Sequence, residues 1–224
     1  MEALVILGTG TEIGKTYVSC RIAAAWPDCC ALKPVETGFT SNTRAPDASA
    51  LSEAANHPYR APRYGFPRPV SPHLEARRLS SPIDLEQLTE WVEETRAALG
   101  RERLLIETAG GAFSPLHGEP QQMPCFNADL AARLKDSTGC QVALVAADRL
   151  GALHEVIATQ RALAAHSTAA DFIVLSQAHV AGGGGESSNA EELRILQDRP
   201  VFVQAYAAPS PPTLLEYLTR AFHG

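Results

Sequence analysis

Long hydrophobic runs are missing from this sequence: its longest unbroken apolar stretch is a few residues, far short of the ~20 needed to cross a bilayer. An excess of positive charge is missing too. Nineteen Lys and Arg stand against 25 Asp and Glu, for a net charge of −6 at neutral pH. The basic residues are scattered, so the electrostatic footprint of a nucleic-acid binder is absent. Cysteine is scarce and unpatterned. There are five, an odd number, with no C-x-x-C and no Cys/His pair at metal-ligand spacing, and Cys29 and Cys30 are adjacent in an apolar run. This argues against a disulfide or zinc framework and for a reducing compartment, with five buried thiols as the expectation. Glu2 follows Met1 where a secretory leader would carry basic residues, so a cleaved leader is not expected and the cytoplasm is.

What is present is an ordinary globular composition, 45% hydrophobic and 20% charged over 224 residues. That length is enough for one domain, residues 1–224, burying roughly 70% of the surface of its unfolded chain. Short apolar runs alternate with amphipathic segments, the pattern of parallel strands buried on both faces and joined by crossover helices. Strands are predicted at Leu4–Leu7, Cys30–Lys33, Leu104–Glu107, Val142–Ala146, Phe172–Leu175 and Val201–Val203. Helices are predicted at Lys15–Ala25, Asp47–Ala55, Leu85–Leu99, Ala128–Lys135, Leu153–Ala165, Asn189–Leu196 and Leu214–Phe222. The expected fold is a single-domain, doubly wound α/β sheet of P-loop NTPase type, mainly parallel, with helices on both faces. Residues 57–82 hold six prolines and read as a long irregular excursion; Gly182–Gly185 reads as a mobile loop.

Open parallel sheets bind ligands beyond the carboxyl ends of their strands, and here those ends are polar. After the first strand comes Gly8-Thr9-Gly10-Thr11-Glu12-Ile13-Gly14-Lys15-Thr16. A glycine-rich turn before a helix lets backbone N–H groups converge on phosphate oxygens, Lys15 adds a positive charge, and the Thr16 hydroxyl can ligate Mg²⁺. ATP or GTP is the ligand this implies. The loop is a variant, since the usual pattern needs glycine at position 9 and Thr9 stands there. Glu12 is unusual beside a triphosphate; it is either turned toward a cationic substrate group or simply solvated.

The second strand ends in Lys33-Pro34-Val35-Glu36-Thr37-Gly38, where Lys33 is either a phosphoryl-directed base or an exposed strand-end lysine. Glu107 closes the third strand, where P-loop folds hold an acid near Mg²⁺, and a buried uncompensated glutamate is otherwise costly. Asp47 opens a helix and reads as a second magnesium ligand or as a helix-start carboxylate.

Taken together these motifs resemble the dethiobiotin synthetase family. The resemblance rests on the Gly8–Thr16 loop, Lys33–Gly38, Asp47, Ser71-Pro72-His73, Glu107 with Ala109-Gly110-Gly111, and Leu150-Gly151, in order over about two thirds of the chain. It implies that 7,8-diaminopelargonic acid, CO₂ and MgATP give dethiobiotin, ADP and phosphate. An amine captures CO₂ as a carbamate, the carbamate attacks the γ-phosphorus, and the second amine closes the ring on the mixed anhydride. On this resemblance Gly10, Thr11, Glu12, Ile13, Gly14, Lys15, Thr16, Glu107, Gly110, Gly111, Ser176 and Gln177 contact nucleotide, and Thr16, Asp47 and Glu107 hold Mg²⁺. Lys15, Lys33 and Thr37 are the catalytic set. Thr11, Glu12, Lys33 and Thr37 meet substrate; Leu150, Gly151 and His154 meet its carboxylate from the neighbouring subunit of a homodimer.

Three positions depart from the family pattern. Thr108 stands where glycine usually follows the third-strand glutamate, which predicts crowding of that turn. His154 stands for a helix-start asparagine. Leu175-Ser176-Gln177 lacks the asparagine that commonly reads adenine. Two other classes fit the fold: a partitioning-type nucleotide switch, though the signature lysine early in the loop is absent, and an amidotransferase-type ligase, though there is no room for a glutaminase domain.

Overall fold

The computed structural model describes residues 2–40, 42–118, 123–166, 168–178 and 188–223. The predicted loop at Gly182–Gly185 lies outside them. In chain order the elements are β1 (Glu2–Gly8), α1 (Lys15–Ala25), β2 (Cys29–Leu32), β3 (Val35–Thr37), α2 (Pro46–Ala54), β4 (Tyr64–Phe66), α3 (Pro72–Arg78), α4 (Leu85–Leu99), β5 (Arg103–Glu107), β6 (Pro115–His117), β7 (Cys125–Phe126), α5 (Asn127–Thr138), β8 (Gln141–Ala147), α6 (Ala152–Ala165), β9 (Phe172–Ser176), α7 (Ser188–Leu196), β10 (Val201–Gln204) and α8 (Pro212–His223).

Six strands form one sheet in the order β10-β9-β8-β1-β5-β2, and every pairing in it is parallel. The alternation of side chains along β1 shows why the run is apolar throughout. Ala3, Val5 and Leu7 enter a core with Leu88 and Val92 of α4, Leu130 and Leu134 of α5, and Val156 of α6. Leu4 and Ile6 enter a second core with Val18 and Ile22 of α1, Leu51 of α2, and Leu214 and Leu218 of α8. A strand covered on both faces must be hydrophobic at every position. No helix among the described residues is long and apolar enough to cross a membrane.

All six sheet strands and seven helices stand where the sequence predicted them, within a few residues. Lys33 is a correction: it follows β2, which ends at Leu32, rather than belonging to it. The excursion at 57–82 is a larger one. It contains β4, paired in parallel with β3 through Val35↔Tyr64, Glu36↔Gly65 and Thr37↔Phe66, and the helix α3. The prolines bound these short elements instead of preventing them; Pro72 occupies the first turn of α3, where no N–H is needed. Cys29, Cys30 and Cys140 are buried, whereas Cys20 and Cys125 are half-buried, so the expectation of five buried thiols holds for three.

The sheet edge at β2 is closed by a side chain. His57 Nδ1 lies 2.9 Å from the Pro58 carbonyl, which only accepts, so a proton sits on Nδ1, while Nε2 lies 3.2 Å from both the N–H and the carbonyl of Ala31.

Candidate active site

The carboxyl ends of β1, β2 and β5 meet beneath the N-terminus of α1 and enclose a cavity of about 600 Å³. Gly14 precedes α1 with φ of 86°, and a β-carbon there would collide with the hydroxyl of Ser176. Only glycine combines that backbone with that contact. Lys15 is buried and its ammonium donates to the Gly10 carbonyl at 2.8 Å. Burial, and then the like charge of Lys33, lower its pKa to about 8.

Lys33 is the centre of the charged network. It is 5% exposed, with Nζ at 2.5 Å from Glu107 Oε1 and 3.0 Å from Asp47 Oδ2. Burial opposes its charge, but the two carboxylates prevail and hold its pKa above that of an ordinary lysine. Thr16 Oγ1 donates to the same Glu107 oxygen at 2.8 Å. The other oxygen, Glu107 Oε2, is buried without a hydrogen-bond partner. Among the described residues no three His, Cys, Asp or Glu side chains cluster closely enough to hold a metal ion by themselves. A cation here would take the orphaned Glu107 oxygen, the Thr16 hydroxyl and the Asp47 carboxylate, with phosphate oxygens completing the shell; oxygen donors of this kind suit Mg²⁺.

The cavity brings together ten of the residues singled out from sequence: Thr11, Glu12, Gly14, Lys15, Thr16, Lys33, Thr37, Asp47, Glu107 and Gly110. Glu12 has φ of 56° and is exposed at the rim. Gly111 approaches so closely that an added β-carbon would lie 3.4 Å from the Gly10 Cα. Other positions fall outside. Ile13 turns into the core. Ser176 packs behind Gly14 and accepts from the Ala178 N–H at 3.3 Å, and Gln177 donates to Asp148 at 2.9 Å, so neither lines the cavity. Leu150 is 98% exposed, and with Gly151 and His154 it lies outside this chain's own cavity. Thr108 does not crowd its turn: its hydroxyl donates to the Ile6 carbonyl at 2.9 Å, and the positive φ falls on Gly110, at 79°.

A family profile described as "AAA domain" matches residues 2–204. The ATP-dependent dethiobiotin synthetase BioD of Rhodopirellula baltica is 30% identical over 94% of this chain and 86% of its own length. The chain belongs to the dethiobiotin synthetase family. The synthetase of the same name from Anaeromyxobacter sp. (strain K) is 33% identical over 79% of this chain and 77% of its own. Among solved structures, a ParA family ATPase from Chlorobium tepidum superposes with a TM-score of 0.51 at 12% identity, covering 98% of this chain and 88% of that one. That likeness establishes the P-loop NTPase fold alone.

Two further residues stand out, one inside the Lys33–Gly38 motif and one in α1, for which the sequence suggested no role of their own. Glu36 is 3% exposed and accepts from the Asp47 and Ala48 N–H groups at 2.8 and 2.9 Å, while burial raises its pKa. The signal available was a helix starting Ala45-Pro46 with no capping side chain of its own. Tyr17 lines the cavity; its hydroxyl donates to the Ala205 carbonyl at 2.9 Å and its ring stacks on Tyr206. An aromatic at the start of α1 carried no distinguishing pattern.

Proposed function

We propose that this chain is an ATP-dependent ligase of biotin biosynthesis that carboxylates and cyclises 7,8-diaminopelargonic acid with CO₂ to dethiobiotin, releasing ADP and phosphate. The observation that carries the reading is Lys33: a buried ammonium shared by two carboxylates, in one cavity with Lys15 and Thr16. On this reading the loop N–H groups and Lys15 neutralise charge that builds on the triphosphate. Lys33 steadies the carbamate and the phosphoryl group it attacks, and Thr37 donates a hydrogen bond to the same adduct. Glu12, at the rim, faces the amines. Thr16, Asp47 and Glu107 hold Mg²⁺, which supplies charge neutralisation at the phosphates. No side chain needs to form a covalent bond; alignment of carbamate and phosphoryl group supplies the acceleration.

The exposed Leu150 turn, outside this chain's own cavity, is consistent with service to a second copy in a homodimer. The cytoplasm is the compartment in which such an enzyme would meet ATP.

The test is phosphate release from MgATP with and without the diamine and bicarbonate. Release that requires both is the expected result. Hydrolysis that ignores the diamine would overturn the reading and favour a nucleotide switch.

A further inference from the structure

We propose that Glu36 is a positioning residue that keeps Asp47 in place as a metal ligand; this rests on the metal role given above to Asp47. The helix α2 begins with an unfilled requirement. A helix leaves its first N–H groups without partners, and a side chain at the N-cap usually takes one of them. In α2 the N-cap is Ala45, whose side chain has no acceptor, and Pro46 has no N–H. The Ala45 N–H goes to the Tyr59 hydroxyl at 3.1 Å. The two donors that follow, on Asp47 and Ala48, are each taken by one oxygen of Glu36.

Glu36 lies on β3, three residues after Lys33, and Lys33 grips the Asp47 carboxylate at 3.0 Å. Asp47 is therefore held twice by one short stretch of chain, at its backbone by Glu36 and at its side chain by Lys33. The two grips are not equivalent in turnover. If Lys33 engages carbamate and phosphoryl oxygens, it loosens its hold on Asp47, and the Glu36 contact is then what keeps the Asp47 main chain, and with it the carboxylate, at the cavity wall. Glu36 also lines the cavity wall beside Thr37, so this contact fixes Asp47 relative to β3, which begins two residues after the catalytic lysine, rather than merely ending a helix.

Outer partners of metal ligands change metal affinity by about 10–100-fold when removed. The experiment measures Mn²⁺ binding to the ADP complex by electron paramagnetic resonance, ADP binding in EDTA by calorimetry, and thermal unfolding. The proteins are wild type, Glu36→Gln, Glu36→Ala and Glu36→Ala with Ala45→Ser. The serine offers α2 a local cap without restoring the tie to β3.

We expect the Glu36 variants to bind Mn²⁺ about tenfold more weakly with ADP affinity in EDTA unchanged. In the double variant the serine is expected to recover thermal stability while Mn²⁺ binding stays weak. Wild-type Mn²⁺ affinity in Glu36→Ala, or recovery of Mn²⁺ affinity together with stability in the double variant, would overturn the proposal by reducing Glu36 to a helix cap. If Glu36→Ala does not fold, Glu36→Gln decides, since it retains the side-chain length and one acceptor. Failure of wild type to turn over the diamine would instead strike at the proposed reaction, leaving the Mn²⁺ measurement intact.

Discussion

The two halves of the sheet end differently. Beyond β1, β5 and β2 the chain concentrates charge: Lys15, Lys33, Asp47 and Glu107 converge within hydrogen-bonding reach of one another or of loop carbonyls. Beyond β9 and β10 it offers mostly neutral groups already engaged with each other. Ser176 backs Gly14, and the buried Gln204 amide donates to the carbonyls of Ala205, Ala208 and Pro209 at 3.1, 3.1 and 3.3 Å. Tyr17 closes this side against Ala205 and Tyr206. The difference teaches that one side is built for changing charge and the other for holding shape, because buried ions in mutual contact respond steeply to any ion brought near, whereas a network of neutral hydrogen bonds does not.

The largest expected effect breaks the charged half. Lys33→Ala should lower turnover by about 10²–10³-fold, the scale for loss of one preorganised donor. It should also lower unfolding stability by about 3 kcal/mol, because Glu107 is left buried beside a second carboxylate without its counter-ion. Nucleotide binding should survive, whereas Lys15→Ala should damage binding and turnover together; steady-state kinetics and calorimetry separate the two. Equal activity of both variants and wild type would remove the contrast between the halves.

An intermediate effect lies at their junction. Gly14→Ala places a side chain on a residue with φ of 86° against Ser176, and a strained backbone of this kind costs about 1–3 kcal/mol. Chemical denaturation should show a loss in that range, and nucleotide affinity should fall with it, because the loop must shift off the start of α1.

The smallest effect sharpens the neutral half. Tyr17→Phe removes one hydrogen bond to Ala205 while keeping the ring, a change worth about 1 kcal/mol. A severalfold rise in KM for nucleotide with kcat unchanged is expected. A fall in kcat comparable to that of Lys33→Ala would show that the two sides are not separable in this way.

The same contrast explains what the sequence made legible. Lys15, Thr16, Lys33, Asp47 and Glu107 are conspicuous because polar and charged residues at the ends of apolar strands are expensive unless they serve one another, and the parallel-sheet rule says where those ends converge. The six sheet strands were equally plain, since a fully buried strand is apolar at each position. Pairing of β3 with β4 was not. These are three-residue strands, one following Pro34 and the other with Gly65 at its centre, and they meet across a separation of nearly 30 residues without a periodic signature. Glu36 was hidden for a related reason: its partners are main-chain N–H groups, which every sequence contains and none advertises. Gln204 and Tyr17 act on carbonyls in the same anonymous way.

The imidazole at the β2 margin has a consequence for assembly. By occupying the outward amide of Ala31, His57 denies a foreign chain the template on which it would lay down an additional strand. A second copy that approached this margin would therefore have to pack through helices and turns rather than widen the sheet at β2.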